Sequence, residues 1–186
     1  MSEQPGRYQR STSGMVGALI VTLLVIFGYV AFRALNRSDL DVRPPHVDYL
    51  AQVHYAQRAG AQVVYPATLP PGWFATKIDL SLGAEPELML SMLTEKGSQG
   101  EYVGFVQSPV PIPELLTTYV DPSPTSGPAV TVPSGVVRHW QTWTDSGGDT
   151  ALVSRYRGES LMVFGGASQA ELEQLAGSLT TRTLAG

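Results

Sequence analysis

Nineteen consecutive residues, Gly14 to Phe32 (GMVGALIVTLLVIFGYVAF), carry no charge, and Arg10 and Arg33 are the nearest charged residues on either side. A helix of this length is roughly 28 Å long at ~1.5 Å per residue, close to the ~30 Å of bilayer hydrocarbon. In hydrocarbon no water satisfies backbone N–H and C=O groups, so a single span has to be helical. Val16, Leu19, Ile20, Leu23, Leu24, Ile26 and Phe27 make the stretch apolar all round, which suits lipid and not an amphipathic surface helix. Tyr29 suits an interfacial position. The stretch is expected to be a retained transmembrane helix over 14–32. A cleaved signal peptide fits less well. Cutting after Ala34 puts Phe32 at position −3, and cutting after Ala31 puts Tyr29 there, where a small residue is needed.

The span divides the chain into an expected cytoplasmic tail (1–13), a tether (33–46) and an extracytoplasmic domain (47–186). Residues 1–46 hold five Arg against Glu3, Asp39 and Asp41, a net of +2. Residues 47–186 hold seven Lys or Arg against thirteen Asp or Glu, a net of −6. Arg7 and Arg10 lie before the span and Arg33, Arg37 and Arg43 after it, so the count of flanking positive charges nearly ties. Long domains translocate largely regardless of charge, which permits the larger domain to lie outside, and the expected orientation is N-terminus in and C-terminal domain out. Its acidity argues against nucleic acid as a partner. The chain has no Cys, which removes disulfides, thiolate catalysis and thiolate metal sites together. In the tether, Asp39, Asp41 and Pro44-Pro45 predict a semi-stiff linker.

Beyond the tether the pattern is mixed. Residues 47–59 read as a helix, with Val47, Leu50, Ala51 and His54 on one face and Tyr49, Val53 and Ala56 on the face beside it. Val63–Tyr65 reads as a short strand and Leu69–Trp73 (LPPGW) as a turn. Strands follow over 74–82, 87–94 and 101–107, which suggests an antiparallel meander. Residues 111–120 hold a short helix with Ile112, Leu115, Leu116 and Tyr119 on one face. Residues 121–135 read as a long Pro/Ser/Thr/Gly loop. Strands return over 136–143, 150–156 and 160–164. Ser168 with Glu171 makes a capping box that opens a helix over 168–179, with Leu172, Leu175, Ala176 and Leu179 as its apolar stripe. The expected class is α+β, a sandwich of helices packed on an antiparallel sheet. Trp73, Trp140, Trp143, Phe105, Tyr102 and Phe164 are expected to supply the bulk of its core.

The anchor, LPPGW at 69–73, the Trp-containing strand at 136–143 and GGDTALVSRYRGESLMVFGGASQAELEQLAGSL at 147–179 together resemble an actinobacterial family of single-pass membrane proteins, domain-of-unknown-function family 4245. The resemblance covers nearly the whole chain and implies an anchored α+β domain in the cell envelope. It supplies no activity, so it carries over no catalytic residue. The ending, a strand and then a capped helix, is also similar, more loosely, to exported domains found with anti-sigma factors.

No chemical motif outweighs a plain structural explanation. His46, His54 and His139 have neither metal-ligand helix spacing nor HExxH. Gly97-Ser98-Gln99-Gly100 lacks the G-x-S-x-G spacing of a nucleophile elbow and reads as a turn. Phe164-Gly165-Gly166-Ala167-Ser168 precedes a helix N-terminus but fails G-x-G-x-x-G, and the cap explains it. The pairs Glu85/Glu87 and Asp145/Asp149 lie at turns, where solvated acids are usual, and the calcium-loop spacing is absent. No catalytic, cofactor or metal residue is assigned and no cofactor is expected. The expected partners are the lipid bilayer, through residues 14–32, and an envelope protein or component. The sequence favours a non-enzymatic binding or interaction module at the cell membrane. The alternatives are an envelope hydrolase whose site forms in three dimensions, and a regulatory protein signalling through the span.

Overall fold

Alternating apolar and polar residues dominate the chain between Trp73 and Gly165, and they build one sheet. The structure, a computed structural model, describes residues 12–35, 45–83, 86–95 and 100–184. The chain falls into two units, Met1–Arg43 and Pro44–Gly186. The first contains α1 (Thr12–Leu35), whose residues 14–32 carry no charge and are exposed around the whole helix. By length and composition it is able to cross a membrane.

The second unit begins with α2 (Tyr49–Arg58) and a two-residue strand, β1 (Tyr65–Pro66). Then come β2 (Trp73–Ser81), β3 (Glu87–Thr94) and β4 (Tyr102–Ser108), followed by α3 (Ile112–Tyr119). β5 (Thr125–Thr131), β6 (His139–Thr144), β7 (Thr150–Tyr156) and β8 (Glu159–Gly165) follow, and then α4 (Gln169–Ser178) and β9 (Leu179–Thr180). The long strands form one seven-stranded antiparallel sheet in the order β2-β3-β4-β8-β7-β6-β5. It consists of two meanders, β2–β4 and β5–β8, joined where β4 pairs with β8 from Val103↔Gly165 to Ser108↔Ser160. β1 pairs separately with β9. The α+β class holds, with one sheet between helices on both faces.

The period-2 pattern sends residues to the two faces in turn. On one face, Leu90, Met92, Phe105, Trp140, Leu152 and Val163 pack with α2 and α4. α2 buries Tyr49, Val53 and Ala56, so this face is its inner one; Ala51 is exposed and Val47, Leu50 and His54 are half-buried. Asp48 caps α2 by accepting from the Ala51 N–H at 3.2 Å. In α4, Leu172, Leu175 and Ala176 are buried, and the Glu171 carboxylate accepts from the Ser168 N–H at 3.1 Å and its hydroxyl at 2.6 Å, as the capping pattern predicts. On the opposite face Val106, Ala151, Val153, Met162 and Phe164 pack with Leu115 and Leu116 of α3.

Two side chains, Gln107 and Tyr49, help tie the 62–66 segment to the rest. Gln107 is buried; its Oε1 accepts from the Val64 N–H at 2.6 Å, and its Nε2 donates to the Gln62 carbonyl and the Glu159 carboxylate. The Tyr49 hydroxyl donates to the Pro66 carbonyl at 2.8 Å. Burial, with Tyr65 and Asp48 nearby, pushes the Tyr49 phenol up to about 12.

Several expectations change. Residues 121–135 are not one loop: 125–131 form the edge strand β5, against β6. Gly127 and Pro128 sit in a register shift between Ser126 and Ala129, where a missing backbone donor is tolerated. The carbonyls of both still receive side-chain hydrogen bonds, Gly127 from Gln141 and Pro128 from Thr142. Val63 and Val64 are buried without joining β1. The Trp-containing strand starts at His139, not at 136, and before it Val132 N–H donates to the Arg138 carbonyl. Tyr102 is 43% exposed and is not a core residue. Its position on β4 faces the α3 side beyond the helix that covers that side. The other edge strand, β2, has its own register shift between Ala75 and Lys77. Most of the expected tail and of the tether, Glu85 and Gly97-Ser98-Gln99 lie outside the described residues, and Thr12 and Ser13 begin α1.

Candidate functional site

α3 leaves a cavity on each side of it, because one short helix covers only part of its sheet face. Pro113 in its first turn lacks the N–H that a helix start leaves unused, and Glu114 faces the positive end of the helix. Leu115 and Leu116 anchor it, and Tyr119, one turn later, carries that face onto the Phe164 ring at 5.4 Å between centroids.

On one side of α3 a groove of about 810 Å³ runs to the free edge of the sheet at β2. Met89, Val110 and Leu115 line it from within, and Leu80 and Tyr55 continue it to α2. Asp79, Glu87 and Glu114 also line it, and among the described residues no Lys or Arg does. Asp79 is paired with Lys77 at 2.6 Å, and the Glu87 carboxylate accepts from the Ser108 hydroxyl at 2.8 Å. The groove therefore mixes apolar and polar side chains, its charged residues all being carboxylates, and lies in the size range of ligand pockets, about 300–1,000 Å³.

On the other side lies a cleft of about 130 Å³ between the end of α3 and the β6–β7 turn, lined by Tyr102, Tyr119, Phe164, Asp145 and Asp149 among others. Tyr119 borders both cavities. The Phe164 ring can lie across β4 because its partner in register is Gly104, where a Cβ would stand 2.4 Å from the ring. The next residue, Gly165, has φ +139°, and a Cβ there would stand 2.1 Å from the Tyr102 carbonyl oxygen.

Asp121 ties the two walls of this cleft together. It follows α3 and accepts from the Ser123 N–H at 2.8 Å, and across the cleft from the Ser146 hydroxyl at 2.9 Å and N–H at 3.4 Å. The Ser123 backbone hydrogen bond, then those from Ser146, hold its carboxyl below the usual aspartate range. A carboxylate lowered in the folded state stabilises it above the ordinary aspartate pKa, and that contribution fades as pH falls through the lowered value. We therefore expect the Ser123 and Ser146 amide resonances to titrate together, with a midpoint below that of an unhindered aspartate. In Asp121→Asn this acid transition should vanish from both.

The sequence candidates do not converge. The His46 ring stacks on Phe74 at 4.0 Å, His54 is half-buried on α2, and His139 is exposed on β6. The Ser154 hydroxyl donates to the His139 backbone carbonyl at 2.7 Å, not to its ring. No histidine lines either cavity. Among the described residues no three His, Asp or Glu stand close enough together to hold a metal. Gly165 to Ser168 serves as the strand-to-helix link. Of the acid pairs, Asp145 and Asp149 do meet: Asp145 Oδ1 accepts from the Asp149 N–H at 2.8 Å, and both line the cleft. Sequence reasoning missed the two cavities because each depends on which face of the sheet α3 leaves bare. A glycine in mid-strand at 104, beside Tyr102, was the available signal.

Fold and cavities together define an antiparallel-sheet α+β domain, preceded by an apolar helix, with recessed surfaces on either side of α3. The chain belongs to the family described as protein of unknown function (DUF4245), which it matches over residues 7–179. No curated protein and no solved structure matches it.

Proposed function

We propose that this protein is a membrane-anchored binding module of the cell envelope, which takes an apolar ligand or partner segment into the groove beside α3. The observation that carries the reading is the groove itself: about 810 Å³, with Met89, Val110 and Leu115 among its lining and no histidine beside the Ser108–Glu87 pair. α1 holds the module at the bilayer, with the short N-terminal segment in the cytoplasm and residues 44–186 outside. The apolar run and the family match support the anchor, and the length of the domain supports its side.

Two experiments test this. A photo-crosslinking side chain placed at Thr118, in the groove, should capture a discrete adduct from intact cells. The same group at Gln174, on the exposed side of α4, should not. Met89→Asp, which puts a charge in the groove, should abolish the Thr118 adduct. Equal labelling at both positions, or none at Thr118, would refute the groove as the binding site. A topology reporter fused after Gly186 should be active on the outer side of the membrane; activity on the inner side would overturn the orientation.

A further inference from the structure

We propose that the small cleft between the end of α3 and the β6–β7 turn is a seat for an alkylammonium group. Its lining combines two features, an aromatic cluster and a pair of carboxylates. Three aromatic rings meet there: Tyr102 and Phe164 at 6.0 Å between centroids with planes tilted by 60°, and Tyr119 and Phe164 at 5.4 Å and 41°. An aromatic ring attracts a cation to about 6 Å from its centroid, so these rings are close enough together to share one guest. Asp145 and Asp149 line the same cleft, and among the described residues no Lys or Arg does. Carboxylates alone would accept any cation, while rings alone would accept any apolar group. Together they select a cation with a hydrocarbon surface. The volume, about 130 Å³, is slightly below that of an engineered cavity of about 150 Å³ that admits benzene, and so fits a group the size of a methylated ammonium.

The cleft is also built to stay open. Phe164 is 7% exposed and held by the Gly104 gap, so it cannot turn outward to fill the space. The Tyr102 hydroxyl shares a hydrogen bond of 3.2 Å with Ser91, and Asp121 fixes the turn opposite through Ser146. The tyrosines remain partly exposed, at 43% and 39%, so the seat opens to solvent.

The test uses the full chain in a maltoside micelle, free of choline-headed detergent, observed through the ring resonances of Tyr102, Tyr119 and Phe164. Tetramethylammonium chloride should shift them saturably, whereas sodium and calcium chloride at equal ionic strength and the uncharged isostere neopentane should not. Tyr119→Leu and Asp149→Asn should each weaken binding about tenfold. The amide spectrum away from the cleft serves as the check that both variants remain folded. Adding phosphatidylcholine to the micelle distinguishes the source of the group. The same shifts without added salt indicate a lipid headgroup, and shifts from the free ion alone indicate a soluble amine. Absence of a saturable shift with either, or equal shifts from calcium or neopentane, would overturn the proposal. The groove reading is untouched by that result, because Thr118 crosslinking does not depend on the cleft.

Discussion

Replacing Trp140 by alanine should destabilise the domain by about 3–5 kcal/mol and lower the denaturant midpoint accordingly. Trp140 is 1% exposed on β6 and belongs to the large core between the sheet and the α2/α4 layer. Its Nε1 donates to the Val137 carbonyl at 3.2 Å, so its loss also leaves that acceptor without its partner. Trp143, three residues further along the same strand, provides the contrast. It is half-buried at the smaller core, and its Nε1 is buried without a hydrogen-bond partner. Trp143→Phe keeps an aromatic ring and removes the unpaired donor, so it should leave stability unchanged or raise it by about 1 kcal/mol. Chemical denaturation of both variants checks the pair. A Trp140→Ala loss below that of Trp143→Phe would mean the core is misassigned.

The second large effect concerns α1. Eleven residues between Val16 and Phe32 are Leu, Ile, Val or Phe. Each favours membrane insertion by about half a kcal/mol near the helix centre, whereas an Arg there opposes it by about 3 kcal/mol. The double substitution Leu23→Arg, Leu24→Arg should therefore cancel the insertion free energy. After carbonate extraction the unaltered chain should remain in the membrane pellet, and the double variant should move to the supernatant. Retention of the variant in the pellet would show that something other than the apolar run holds the protein.

Much of the architecture is written locally. The strand 150–156 and the cap at Ser168–Glu171 emerge from alternation and side-chain chemistry alone, because neighbours in sequence determine them. The helix at 112–119 is similarly legible from Leu115, Leu116 and Tyr119. The strand at 125–131 is not. Gly127 and Pro128 mark a loop by every local rule, and what makes the segment a strand is β6 beside it, with Gln141 and Thr142 reaching across to its carbonyls. Tyr102 misleads in the opposite sense: its alternation suits a buried position, but no helix covers its end of the sheet. The cavities fail to show for the same reason. They are empty space defined by the length of α3, and the residues lining them come from segments far apart in the chain.

The bulged edges of the sheet bear on how such molecules live together. β2 and β5 are the two edge strands, and unpaired strand edges invite pairing with another copy. Proteins confined to a surface meet at a much higher effective concentration than the same number free in solution. Here β5 is interrupted by Gly127-Pro128, and β2 by the shift at Ala75/Lys77, with the Lys77–Asp79 pair beside it and the Val47 N–H already bound to the Ala75 carbonyl. Neither edge offers the long run of free backbone groups that a second sheet would need. Strand-to-strand pairing between copies is thereby disfavoured at both edges of the sheet.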